Sequence, residues 1–155
     1  MKGKAMELRE LTIRDRELIT QLFTDVFTSE PWNDDWSDAA QLDAYISDLT
    51  GQAYSLTLGY FDGDRLVGLS MGHVKHWYTG TEYCIDEFCV ARQYQGKGVG
   101  AGFMKAIEAF LRERRIVQIF LQTGRNTPAY EFYSHRGFHE LVGHVSFAKR
   151  IDGQF

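Results

Sequence analysis

From Ala91 to Gly102 the chain reads Ala-Arg-Gln-Tyr-Gln-Gly-Lys-Gly-Val-Gly-Ala-Gly, with glycine at 96, 98, 100 and 102. Neither a strand interior nor a helix interior accepts such spacing cheaply, because each glycine costs roughly 0.5–1 kcal/mol of backbone order relative to alanine. The stretch therefore predicts a turn. It follows a β-rich apolar run, Glu82 to Val90, and leads into Phe103, Ile107, Phe110 and Leu111 at helical spacing. Val117 to Leu121 is then a short apolar strand, so strand, glycine turn, helix and strand form one parallel crossover unit. Amides in such a turn converge on one anion, and the helix N-terminus adds about half a positive charge. The segment predicts a pyrophosphate cradle.

Two nucleotide readings fit it poorly. A Walker loop needs Ser or Thr after its lysine, and Lys97 is followed by Gly98. A dinucleotide fingerprint needs an acid on the ribose about 20 residues on, and after Leu121 the chain offers Gln122 and Thr123.

The remaining pattern places elements around this unit. Leu8, Leu11 and Ile13 alternate as a first strand, and Leu18, Ile19, Leu22, Phe23, Val26 and Phe27 recur as a helix closed by Pro31. Ser37 is expected to cap a second helix through Leu42, Tyr45, Ile46 and Leu49, ended by Gly51. Ala53 to Phe61 and Arg65 to Trp77 form a hairpin about Asp62-Gly63-Asp64. Thr127, Pro128 and Ala129 open a last helix that stops at Gly137, and alternating residues Val142 to Ala148 predict a closing strand.

Charge narrows the partner. Between Arg16 and Arg65 lie ten acids and no Lys or Arg, while the rest of the chain holds 17 basic and 11 acidic residues. An acidic third set apart from the cradle argues against nucleic acid and for a cationic ligand. Within that third, Trp32, Asp34, Asp35 and Trp36 form one loop in which tryptophans stand beside acids, a pairing suited to an ammonium group. Cys84 and Cys89 read as reduced core thiols, and alternation along one strand sends them to opposite faces. His73, His76, His135, His139 and His144 show no metal-ligand spacing with them, and neither a membrane span nor a signal peptide is expected. These features place the chain in the cytoplasm, with no nucleic acid, membrane or metal partner.

Taken in order, Gln95-x-x-Gly98-x-Gly100 and the later block of Leu121-Gln122-Thr123, Asn126, Ala129, Phe132-Tyr133 and Gly137-Phe138 resemble the two motif blocks of the GNAT superfamily of N-acetyltransferases. The resemblance covers about residues 6 to 149. It implies one α/β (α+β) domain over 1–155: a mixed, mostly antiparallel sheet of six to seven strands flanked by about four helices, with strands four and five splayed. It implies acetyl-CoA as co-substrate, its pantetheine arm along Phe88, Cys89 and Val90 and its pyrophosphate on Gln95, Gly96, Lys97, Gly98, Val99 and Gly100. Asn126 and Ala129 would meet the arm. Arg92, Lys97 and Arg125 would add charge, and the Phe88 amide is a candidate oxyanion donor.

Acetyl transfer to a primary amine also needs a proton acceptor and an acid for the leaving thiolate. Tyr133 matches the family's acid. Asp86 and Glu87 are the candidate bases; alternation points them to opposite faces, with Asp86 beside Phe88 and Val90 and slightly preferred. Trp32, Asp34, Asp35, Trp36 and Asp86 are expected to bind a small cationic amine, as in aminoglycoside or polyamine acetyltransferases. The alternatives are an enzyme acting on peptide or protein N-termini and a non-catalytic acyl-CoA-binding module. Val142 to Phe147 would offer an edge for a homodimer.

Overall fold

The computed structural model describes residues 5–154. Five strands form one sheet in chain order, β1 (Glu7–Leu11), β2 (Ser55–Asp62), β3 (Arg65–Trp77), β4 (Gly80–Val90) and β5 (Gln118–Leu121). The first three pairings are antiparallel and β4–β5 is parallel, as a crossover through α3 (Val99–Glu113) requires. Asp62 pairs Arg65 across Gly63 at φ +60°, the two-residue hairpin expected of Asp-Gly-Asp.

α1 (Arg16–Phe27) buries Ile19, Leu22, Phe23, Val26 and Phe27, one helical stripe. It packs with Ile46 of α2 (Ala39–Thr50) on Val67, Leu69, Met71 and Cys89, which share one face of the sheet. Arg16 pairs with Asp43 and Ser47, tying the two helices together. Asp38, rather than Ser37, caps α2 by accepting from the Gln41 amide at 3.1 Å. On the opposite face the Phe103 ring of α3 stacks between Tyr60 and Phe88, at 5.0 and 5.2 Å. Gly68 permits this approach, since a Cβ there would sit 2.8 Å from the Phe103 ring.

The chain divides after Gln122. In the second unit, α4 (Pro128–Ser134) opens on a Thr127 side chain that accepts from the Tyr130 amide, with Pro128 at its first position. Arg125 pairs with Glu140 at 2.5 Å.

The sixth strand expected at Val142 to Ala148 does not form, and the sheet has five strands rather than six or seven. The alternation is present, but this segment begins with a turn from Leu141 to His144 and the described residues of its unit contain no strand for it to pair with. Strand propensity without a ladder partner holds nothing in place. Val142 and Phe147 are accordingly 83% and 95% exposed, and the edge contact expected from them has no strand to rest on.

Candidate active site

The site is organised by an irregularity in β4. Gly72 pairs with Ile85 and Met71 with Glu87, so Asp86 is an extra residue with no opposite number on β3. Such a bulge sets two side chains against one and reverses the alternation beyond it. Glu87 therefore falls on the face of α1 and α2, where the Tyr45 hydroxyl donates to its Oε1 at 2.6 Å, while Phe88 turns to Phe103 on the other face. Asp86 lies 3.4 Å from His73 Nδ1, and His73 alternates onto the face of Met71. The two acids thus share a face, contrary to the opposed orientation expected from a regular strand, and Asp86 does not share one with Phe88 and Val90. The same reversal brings Cys84 and Cys89 to one face. Both are buried free thiols, and five residues of strand, roughly 16 Å, separate them.

Glu87 is the more sequestered acid. Burial pushes its carboxyl above the usual range, the Tyr45 hydrogen bond opposes that, and the charges of Asp34 and Asp86 add to the rise. Asp86 is exposed. The Asp34 amide is anchored on the Phe27 carbonyl at 2.8 Å, which docks this loop against the end of α1. Trp36 stacks on Tyr45, centroids 5.1 Å apart at 15°, and meets Phe23 edge-on at 5.4 Å; Trp32 lies 5.9 Å from Phe27. Asp35 instead accepts from the Ser37 amide at 3.0 Å, and hydrogen bonding from the Ser37 side chain and then from this amide lowers its pKa. Of the loop residues expected to meet substrate, Asp34 lies close enough for its charge to act on Glu87, Trp36 stacks on the tyrosine that bonds Glu87, Trp32 packs on Phe27 and Asp35 closes a turn. Tyr45 was not among the expected site residues; helical spacing places it on the inward face of α2, where an aromatic reads as core.

The β4–β5 ladder runs from Glu82–Gln118 to Ile85–Leu121 and ends there, so Asp86 to Val90 continue beyond the end of β5. Directly after this stretch comes the glycine turn. The Gln95 side-chain amide donates to the Val90 carbonyl at 2.9 Å, fastening the turn to the strand end. Gly96 and Gly98 have φ +72° and +79°, and a Cβ on either would meet nothing within 4 Å. Gly98 is the N-cap of α3 and no side chain caps that helix, whose first regular bond is Gly102 N–H to the Gly98 carbonyl at 3.1 Å. The amides of Val99, Gly100 and Ala101 form the first turn of this helix, whose N-terminus carries a partial positive charge. This arrangement fits a pyrophosphate. Lys97 is exposed beside it, whereas Arg92 is held by Asp25 at 2.9 Å and Arg125 by Glu140.

In the second unit, Tyr133 on α4 meets Phe132 and Phe138 edge-on at 5.3 and 5.2 Å. Ala129 lies in the first turn of that helix, and Asn126 just before its cap is exposed. Among the described residues no group of three or more His, Cys, Asp or Glu side chains is placed to hold a metal ion, and no helix is long and apolar enough to cross a membrane.

A family model described as the acetyltransferase (GNAT) family matches residues 16–138. The chain belongs to that family. It is an acetyl-CoA-dependent N-acetyltransferase with the mixed α/β GNAT fold. Solved structures of the same fold include a "possible acetyltransferase" from Clostridium difficile 630, at 18% identity and TM-score 0.79, covering 96% of this chain and 99% of that one. Aminoglycoside acetyltransferase AAC(6')-Iy, in complex with the bisubstrate analogue CoA-S-monomethyl-acetylneamine, matches at 16% identity and TM-score 0.71 over 95% of this chain and 99% of that one. A ribosomal-protein-alanine N-acetyltransferase from Brucella melitensis biovar Abortus 2308 matches at 18% identity and TM-score 0.72 over 96% and 100%. No curated protein sequence matches.

The cradle makes a first prediction. Gly98→Asp places a side chain and a negative charge where the phosphates of this acetyltransferase's co-substrate are expected; its Cβ meets no protein atom within 4 Å, and the residue must take up the left-handed φ of +79°. Calorimetric titration should show acetyl-CoA affinity reduced by more than about tenfold, or about 1.4 kcal/mol. A folded variant with unchanged affinity would remove the turn from the site.

Proposed function

We propose that this acetyltransferase acetylates a primary amine of a small cationic molecule, with Glu87 as the proton acceptor. The observation that carries the reading is the Glu87 carboxylate, half-buried where β4 outruns β5, held by the Tyr45 hydroxyl on whose ring Trp36 stacks, and within the field of Asp34 and Asp86. A bound ammonium must lose a proton to attack, and an acid whose pKa is raised by burial takes one more readily than an ordinary carboxylate. Asp34 and Asp86 attract the cation and the face of Trp36 or Trp32 stabilises it. Asp86, the base preferred from the sequence, serves in this reading as a binding acid, since it is exposed and beside His73.

Acetyl-CoA supplies the acyl thioester. Gln95 to Gly100 hold its pyrophosphate, and Phe88, Cys89 and Val90 run along its arm. Glu87 first takes the ammonium proton, directly or through one water, and passes it to solvent. As the neutral amine nitrogen bonds to the thioester carbon its second proton leaves to Glu87, and as the carbon–sulfur bond breaks Tyr133 gives its phenolic proton to the thiolate and is reprotonated from solvent, so that one proton is released per turnover.

The TM-scores of 0.71 and 0.72 to aminoglycoside and ribosomal-protein-alanine acetyltransferases favour neither substrate class. The acids around Glu87 favour the cation. Thiol release from acetyl-CoA should be measured against aminoglycosides, polyamines, amino acids and alanine-terminated peptides. A polycationic acceptor should give the highest kcat/KM, and an uncharged amine or a peptide N-terminus in first place would overturn the assignment. With the best polycation, Asp34→Asn should raise the acceptor KM severalfold at low salt, about 1 kcal/mol for a partly exposed charge, and spare that of acetyl-CoA. Asp35→Asn, which alters a turn, should change neither KM.

A further inference from the structure

We propose that Tyr45 is a positioning residue for this reaction: its phenol, fixed by stacking on Trp36, aims the Glu87 carboxylate and keeps it in the charged, proton-accepting form. This rests on the reading of Glu87 as the base.

The Tyr45–Glu87 bond, 2.6 Å from Tyr45 Oη to Glu87 Oε1, joins residues 42 apart in sequence. The ring that carries the donor has little freedom. Trp36 lies on one face of it at 5.1 Å, and Phe23 meets it at 5.9 Å. Ile46, the next residue, is fully buried in the core and anchors the helix turn. Glu87 therefore receives its hydrogen bond from a donor whose direction is set by α1, α2 and the loop between them.

The bond has a chemical consequence because the other groups around Glu87 act against its charge. Asp34 from the loop and Asp86 from its own strand are acids, α1 presents the apolar Phe23, and the nearest imidazole, His73 on β3, faces Asp86. Burial and two like charges favour the protonated acid, and the Tyr45 hydroxyl is the group that favours the carboxylate. Tyr45 is suited to that task. Burial and the adjacent Glu87 push its own titration far above the physiological range, so it remains a donor wherever the enzyme works.

The opposite view is that Glu87 merely satisfies a half-buried phenol. Under that view Tyr45→Phe lowers stability and leaves the pH dependence alone. Under the proposal, Tyr45→Phe keeps the ring and its stacking but removes the proton that holds the charge. Turnover with acetyl-CoA and the best amine of the panel should then fall most at the acidic end of the activity range, by up to about tenfold, and recover toward the wild-type value as pH rises, one charged hydrogen bond being worth about 1.4 kcal/mol or more. The acetyl-CoA KM should not move. Carbon-13 NMR of glutamate-labelled enzyme, with the Glu87 signal identified by its loss in Glu87→Gln, should show the carboxyl titrating at higher pH in Tyr45→Phe than in wild type.

If Glu87→Gln abolishes turnover and Tyr45→Phe leaves both the pH profile and the titration in place, the positioning role is wrong and the base stands. If Glu87→Gln retains full turnover, the base reading fails and takes this proposal with it. Should Tyr45→Phe fold poorly in a thermal melt, Trp36→Leu serves instead. It removes the stacking partner and keeps the phenol, and a profile displaced in the same direction by a smaller amount supports the proposal, whereas an undisplaced one overturns it.

Discussion

Glu87→Gln is expected to reduce turnover by about 10²- to 10⁴-fold, the range that loss of a positioned proton acceptor produces, while acetyl-CoA affinity stays close to wild type. Glutamine keeps the size of the side chain and an oxygen for the Tyr45 hydroxyl, so the packing of α2 on the sheet should survive. What is lost is the basic site. The same substitution separates catalysis from stability, because the Glu87 carboxyl titrates above its ordinary value in the folded chain. A carboxyl raised by folding adds stability that is complete below its unfolded pKa and is lost as pH rises through the folded one. Glutamine does not titrate. The melting temperature of Glu87→Gln relative to wild type should therefore increase from acidic to mildly alkaline pH, and a difference that stays flat or reverses would mean that Glu87 is not held at a cost. If Glu87 is the proton acceptor, its cost to the fold is stability given up locally for function.

How far this site was legible in the sequence depends on the residue. The glycine turn was legible because glycines at 96 and 98 answer a local demand, positive φ at a helix start, that no distant contact has to supply. The hairpin at Gly63 and the crossover from β4 to β5 were legible for the same reason. The bulge was not. Ile85-Asp86-Glu87-Phe88 alternates well enough in either register, and only the pairing of Met71 with Glu87 reveals that one residue is surplus. That single insertion moved Glu87 onto the helix face and inverted the preference between two neighbouring acids. Tyr45 was hidden differently, since its spacing in α2 is that of a core residue and its hydroxyl acts on a strand 42 residues away. At Val142 to Ala148 the alternation was read correctly and was insufficient, because a strand is a property of two segments and the sequence pattern describes one.

Tyr133→Phe is the second large effect expected, a loss of roughly 100-fold or more in turnover with acetyl-CoA binding little changed. Phenylalanine keeps the ring that meets Phe132 and Phe138 and the carbonyl that accepts from the amides of Arg136 and Phe138 at 2.9 and 3.2 Å. α4 keeps its Thr127 cap and its proline start in the variant. A thermal melt of the variant checks that folding is intact, and the leaving group then tests what the proton does. If that proton goes to the departing thiolate, the variant has a specific dependence on the leaving group. A thiol more acidic than that of coenzyme A departs as a stable thiolate and needs less help, so an acetyl thioester of such a thiol should recover part of the lost rate. The wild-type enzyme should gain much less from the change, because its own acid already meets the need. Equal gains in both would show that Tyr133 does not act on the leaving group, and near-normal turnover of Tyr133→Phe with acetyl-CoA itself would reduce the phenol to a packing group of the second unit.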